Sequence, residues 1–191
     1  MAFLGRLAKS FSRKGAFKVK RTLLFLQLFT LAIPSVHVSA SFKPVEIKAA
    51  YLYNLVNFVY WPGSNDVQEP FVIEILGNPV LAENLELLTR GETLRGRRII
   101  IKSIDSVSEI DDCQILFVDS SKEKEFSPEL LDGLSKKHIL TVGNSLEFLK
   151  KGAVVGLISS SGRIFIAVNQ RLAKKAGISF SSKLLKVARI L

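Results

Sequence analysis

Cysteine is almost missing from this 191-residue chain: Cys113 stands alone, so no intramolecular disulfide can form. A small secreted scaffold stapled by disulfides is therefore excluded, and the thiol is expected to be a small buried hydrophobe. Histidine is nearly as scarce, with only His37 and His138. His37 lies in a segment read below as removed, so a histidine zinc site or a Ser-His-Asp relay would have to pass through His138 alone. A lone histidine at the start of an expected strand reads as structural. No apolar run reaches the length of about 20 residues that a stable membrane span needs. No G-x-G-x-x-G fingerprint occurs. The glycine spacing of Gly91 to Gly96 imitates a phosphate-binding loop, but Arg97-Arg98 replace its Lys-Ser/Thr and a strand follows where a helix is required. Those glycines read as turn formers.

Acidic residues are absent from the first 21 positions, which carry seven lysines and arginines. An uncharged stretch, Thr22–Ile33, follows and is broken at Pro34; Val38-Ser39-Ala40 then has the small-residue spacing of a cleavage site. This order makes residues 1–40 a secretory signal peptide, with cleavage expected after Ala40 and export to the periplasm. An uncleaved anchor and an organellar transit peptide are the other readings of such a start. The chain totals 27 basic and 17 acidic residues; without the seven in the signal the balance is 20 to 17, or +3. The high pI is mostly a property of the targeting segment and gives no reason to expect nucleic acid. Residues 41–191 make one domain, long enough to bury a core unaided.

Within that domain, Val45–Tyr60 reads as a helix behind Pro44, with a stripe of Val45, Ala49, Leu52, Leu55, Val56 and Val59. Its aromatic residues, Tyr51, Tyr53, Phe58, Tyr60 and the following Trp61, exceed what one core-facing stripe usually absorbs. Tyr51, Tyr53, Phe58 and Trp61 are therefore candidates for a partner interface. Beyond the polar loop Ser64–Glu69, short Ile/Val/Phe-rich runs are expected as strands: Phe71–Leu76, Arg98–Ile101, Gln114–Val118, His138–Val142, Val154–Ser159 and Arg163–Val168. Helices are expected at Val80–Thr89, Pro128–Ser135, Ser145–Lys150, after Asn169, and at Ser181–Ala188. Such alternation predicts a single three-layer α/β domain with a mainly parallel sheet. The turn Ser159–Gly162 is too short for a crossover, so the last two strands should form an antiparallel hairpin.

Asp119 at a strand end, with Thr141 and Lys183 downstream, imitates a phosphoacceptor site. The acidic pair such a site needs is replaced by Gly77-Asn78-Pro79. Asp111-Asp112 stand at the amino end of a strand, where ligands of open α/β sheets seldom bind, and read as a solvated turn. At the carboxyl ends of the strands, Gly77, Asn78, Asp119, Ser120, Gly143 and Asn144 are the ligand-binding candidates. The same residue types are also helix caps and turn formers. No catalytic residue, metal or cofactor is expected.

Seven segments stand in order: Lys48–Leu55 running to Trp61-Pro62, Ile75–Gly77, Gly96-Arg97, Asp112–Val118, Ile139–Gly143, Ser161–Ile164 with Asn169, and Ile178 through Ser181–Leu185. Over about residues 43–188 this set resembles the YfiR-like family of periplasmic proteins, whose namesake represses an inner-membrane diguanylate cyclase. The resemblance implies a non-enzymatic regulator that often dimerises, binds the periplasmic sensor domain of a membrane GGDEF (diguanylate cyclase) protein or a sensor kinase, and lowers cyclic-di-GMP signalling. Contact with the membrane would run only through that partner. The namesake's relatives carry cysteine pairs linked to redox sensing, and Cys113 alone cannot form such a bridge. A periplasmic small-molecule-binding sensor module and an exported hydrolase remain the rival readings of the residues themselves.

Overall fold

Proline starts three helices of the domain, and at the first of them it stands directly behind Lys43. In α1 (Pro44–Phe58) the Lys43 N–H donates to the Glu46 carboxylate at 3.1 Å, so one orphan donor of the first turn is satisfied. The structure, a computed structural model, describes residues 43–63 and 69–191; the expected signal peptide, residues 1–40, lies outside them. Helix α1 buries Ala49, Leu52, Leu55 and Val56. It stops two residues before the expected Tyr60. Val59–Tyr60 are extended as β1 and pair antiparallel with β9 (Ser179–Phe180), Val59 opposite Phe180 and Tyr60 opposite Ser179. A β-branched and an aromatic residue suit that pairing, and Pro62 forbids a continued helix.

The main sheet has eight strands, and five of them run parallel: β2 (Phe71–Leu76), β4 (Arg97–Ile104), β5 (Ile115–Val118), β6 (Leu140–Gly143) and β7 (Val155–Ser160). Taken in chain order, these five lie 2-1-3-4-5 across the sheet, with the topological switch between β2 and β5. β3 (Thr93–Leu94) borders β4 antiparallel, β8 (Arg163–Val168) forms the expected antiparallel hairpin with β7, and β10 (Arg189–Ile190) pairs parallel with the end of β8. The turns Arg95-Gly96 and Ser161-Gly162 each place two successive residues at positive φ. Two-residue hairpin loops need that geometry to match strand twist.

Alternation sends the side chains of the sheet to two cores. Phe71, Ile73, Ile75, Ile115 and Phe117 face α1 and α2 (Pro79–Thr89). Leu76, Leu116 and Val118 face α3 (Pro128–Lys136) and α4 (Leu146–Lys151), where Phe126 meets Phe148 edge-on at 5.5 Å. The remaining helices are α5 (Gln170–Lys175), capped by Asn169, and α6 (Ser182–Val187), capped by Ser181. The described residues form one compact unit.

Two further features depart from the sequence reading. The strand expected from His138 begins at Leu140, because His138 sits at φ 59 just past α3. There the Ile139 N–H reaches Leu134 O and the His138 N–H reaches Ser135 O, a helix-ending motif that normally takes glycine. The His138 ring compensates by bonding Ala176 O through Nδ1 at 2.7 Å. The other departure is charge in the core: Glu74 is fully buried on the second face of β2, with Lys102 Nζ at 3.5 Å and the Asp111 N–H donating to its Oε2 at 3.2 Å. Cys113 is buried beside it as a free thiol. Burial first, then the Glu74 charge, push that thiol well above the ordinary range.

Candidate functional site

The carboxyl ends of β2, β5 and β6 gather the six sequence-derived ligand candidates. Asn78 follows β2 and caps α2, its Oδ1 accepting from the Leu81 N–H at 2.9 Å, while its Nδ2 donates to Asp119 Oδ2 at 2.9 Å. The other carboxylate oxygen of Asp119 accepts from the Ser121 N–H at 3.1 Å and the Ser121 hydroxyl at 3.0 Å. Ser120 lies exposed beside it. Burial pushes the Asp119 carboxyl up, but the bonds from the Ser121 N–H, the Asn78 amide and the Ser121 hydroxyl outweigh it. The group is held below the usual carboxylate range.

Glu123, which the sequence reading did not single out, completes the arrangement. Its buried carboxylate accepts from the Asn144 N–H at 2.6 Å, the Ser145 N–H at 3.1 Å and the Ser145 hydroxyl. Gly143 is needed beneath it, since an added Cβ would lie 2.2 Å from Phe148 Cδ1 and 2.9 Å from Glu123 Oε1. Lys122 lies over Gly77 in the same way, its Cγ 2.6 Å from where a Cβ would stand. The segment from Asp119 to Glu125 thus folds across the strand ends and supplies its own carboxylates to the polar groups there. A ligand at these six positions would have to displace or join Lys122 and Glu123. No motif marks Glu123 in sequence, because its partners stand 21 and 22 residues further on.

All four aromatic candidates, Tyr51, Tyr53, Phe58 and Trp61, are half-buried against the first core, with Trp61 edge-on to Phe71 at 5.1 Å. Tyr53 points toward Glu92, and Tyr51 donates its hydroxyl to Ile164 O at 3.2 Å. Only Tyr51 borders the groove of about 590 Å³ between α1 and α2, with Ile47, Ala50, Asn54, Leu87 and Leu88. Leu87 and Leu88 are 56% and 45% exposed, large apolar side chains open to solvent on a folded domain. Among the described residues no cluster of His, Cys, Asp and Glu could hold a metal ion, and no helix is long and apolar enough to cross a membrane.

The fold is thus a three-layer α/β domain with polar strand ends and an exposed apolar groove between two helices. Residues 45–189 match the YfiR/HmsC-like family, and the chain belongs to it. That family is regulatory rather than catalytic and in general periplasmic. No curated protein matches the sequence. Among solved structures, a conserved domain protein from Vibrio cholerae O1 biovar El Tor shares 12% identity at a TM-score of 0.52, over 78% of this chain and 60% of that one. An ABC domain from Streptococcus pneumonia, solved in complex with L-Trp, shares 12% identity at 0.53, again over 78% and 60%. The chain therefore spans about three fifths of those structures, and at such identity the likeness is one of fold.

Proposed function

We propose that this protein is exported by residues 1–40, cleaved after Ala40, and acts in the periplasm as a repressor of an inner-membrane diguanylate cyclase, lowering cyclic-di-GMP. The family match over residues 45–189 supports the regulatory part of this reading. The observation that carries its mechanism is the apolar groove between α1 and α2, where Tyr51, Leu87 and Leu88 stand ready to cover a helix of the partner's sensor domain. Repression then works by population shift: the regulator binds one state of the sensor domain better than the other, and the difference in affinity sets the degree of inhibition.

The test is genetic and physical together. Deleting the gene should raise cellular cyclic-di-GMP, and Leu87→Asp should reproduce the deletion while the protein accumulates and melts normally, because Leu87 is exposed. Unchanged cyclic-di-GMP in the deletion strain would end the repressor reading. A deletion phenotype that Leu87→Asp fails to reproduce would move the contact away from the groove.

A further inference from the structure

After Glu147 the chain carries no acidic residue. Residues 148–191 hold nine lysines and arginines, while residues 41–147 hold the other 11 with all 17 acidic residues, so +9 stands against −6. The near-neutral total conceals a chain whose charge is polarised along its sequence, with Lys175 paired to Asp132 of α3. Most of the basic stretch builds one side of the sheet, from β7 and β8 through α5 and α6 to β10.

At its end the charges are interleaved with solvent-exposed apolar residues. Helix α6 turns Leu184, Leu185 and Ala188 toward the first core and leaves Ser182, Lys183, Lys186 and Val187 outside. Val187 is 74% exposed and occupies the outward face, where a surface helix ordinarily places a polar residue. Ile190 and Leu191 follow at 48% and 54% exposure. Between them and the helix, Arg189 lies with its guanidinium 3.7 Å above the Phe165 ring. β10 is the outermost strand of the sheet here, so no further strand of the described residues covers this edge.

We propose that the α6–β10 edge docks on an anionic phospholipid bilayer. Cations on long flexible stems reach headgroup phosphates while neighbouring apolar side chains enter the acyl boundary, and Lys183, Lys186 and Val187, spaced i, i+3 and i+4 on α6, present both on one helix face. A nucleic-acid backbone would use the cations and leave Val187, Ile190 and Leu191 facing water. An acidic protein surface would need apolar contacts set among its carboxylates. A bilayer supplies both at once over a flat edge. The inference is independent of the α1–α2 groove. It adds a direct membrane contact to the one expected through a partner, and it would hold the regulator at the surface where a membrane sensor domain stands.

The chain from Ser41 onward, free of its own basic leader, is mixed with phosphatidylcholine–phosphatidylglycerol vesicles and, separately, with pure phosphatidylcholine vesicles, and partitioning is read by co-sedimentation. Binding to the anionic vesicles alone, weakening as salt rises, is expected. One cation near such a surface is worth about fivefold in partitioning, so Lys183→Glu with Lys186→Glu should lower it by about 25-fold or more. Val187→Asn, which removes the apolar side chain without adding charge, should lower binding while leaving the steepness of the salt dependence nearly unchanged. All three positions are exposed, so melting temperatures should match the parent. Equal or absent partitioning on the two vesicle types, wild-type partitioning of both variants, or binding to duplex DNA or an acidic polypeptide in place of anionic vesicles would overturn the proposal.

Discussion

Replacing Glu123 probes what closes the strand ends. Glu123→Ala removes an acceptor of three hydrogen bonds, two from the backbone of Asn144 and Ser145 and one from the Ser145 hydroxyl. A bond to a charged group contributes about 1.5–3 kcal/mol, but Asn144 and Ser145 are half-buried and water can replace part of the loss, so the cost should be about 3 kcal/mol. Glu123→Gln tests the same geometry more gently. The amide oxygen can take the place of Oε1 and keep both backbone bonds. The amide nitrogen then faces Ser145 Oγ, which already accepts from the Phe148 N–H, so the Ser145 proton loses its acceptor. With the lost charge beside the first turn of α4, the expected cost is about 1–1.5 kcal/mol. Urea unfolding of the three proteins, compared at unchanged slope, reads the difference directly. Loss of less than about 0.5 kcal/mol in Glu123→Ala, the range of an ordinary surface change, would refute the idea that this carboxylate closes the strand ends.

Other changes should follow the same geometry. Gly143→Ala forces a Cβ against Phe148 and Glu123 and should cost about 1–3 kcal/mol in the same unfolding assay. Tyr51→Ser and Tyr53→Ser each lose a half-buried ring packed on the first core and should lower stability by about 2–3 kcal/mol, Tyr53→Ser falling at the lower end because its hydroxyl bond to Glu92 is exposed. Hydrogen bonds from Lys175 and Lys136 hold the Asp132 carboxyl at about 2. A depressed folded-state value means that the stabilisation is present above the unfolded carboxylate range, near 4, and is lost as pH falls toward 2. Melting curves of the parent and Asp132→Asn should therefore differ at neutral pH and converge near pH 2, the gap shrinking with salt. Native Cys113 should resist thiol reagents until the protein unfolds, since the thiolate that reacts is disfavoured.

What could be read from the chain was whatever local chemistry decides. β2 and β8 fall where their apolar runs predict them, and Asn78, Ser145, Asn169 and Ser181 cap helices as short polar residues before apolar stripes should. What could not be read depends on distant partners. Val59 and Tyr60 satisfy a helical stripe equally well; only pairing with β9 decides otherwise. β3 has two residues and no periodicity to detect. His138 opens no strand because the end of α3 requires the left-handed conformation there. The six strand-end candidates were legible as a group, but Glu123 was not, since a glutamate in a charged run gives no sign of the backbone donors it will meet. The charge reading missed the polarisation along the sequence for a different reason: a sum over the chain discards position.

The two ends of the domain are sewn together. β1, directly after the first helix, pairs with β9 about 120 residues later, and the Ser181 N–H closes the seam on Phe58 O. Contacts of such sequence separation form late, because the intervening loop entropy must be overcome first. A chain threading through a membrane pore amino end first would deliver α1 long before its partner strand. The apolar stripe of the helix would meet β2 and α2 soon afterwards, whereas β1 would wait about 120 residues for β9. Under the proposed export, the β1–β9 seam would therefore be among the later contacts of the domain to close.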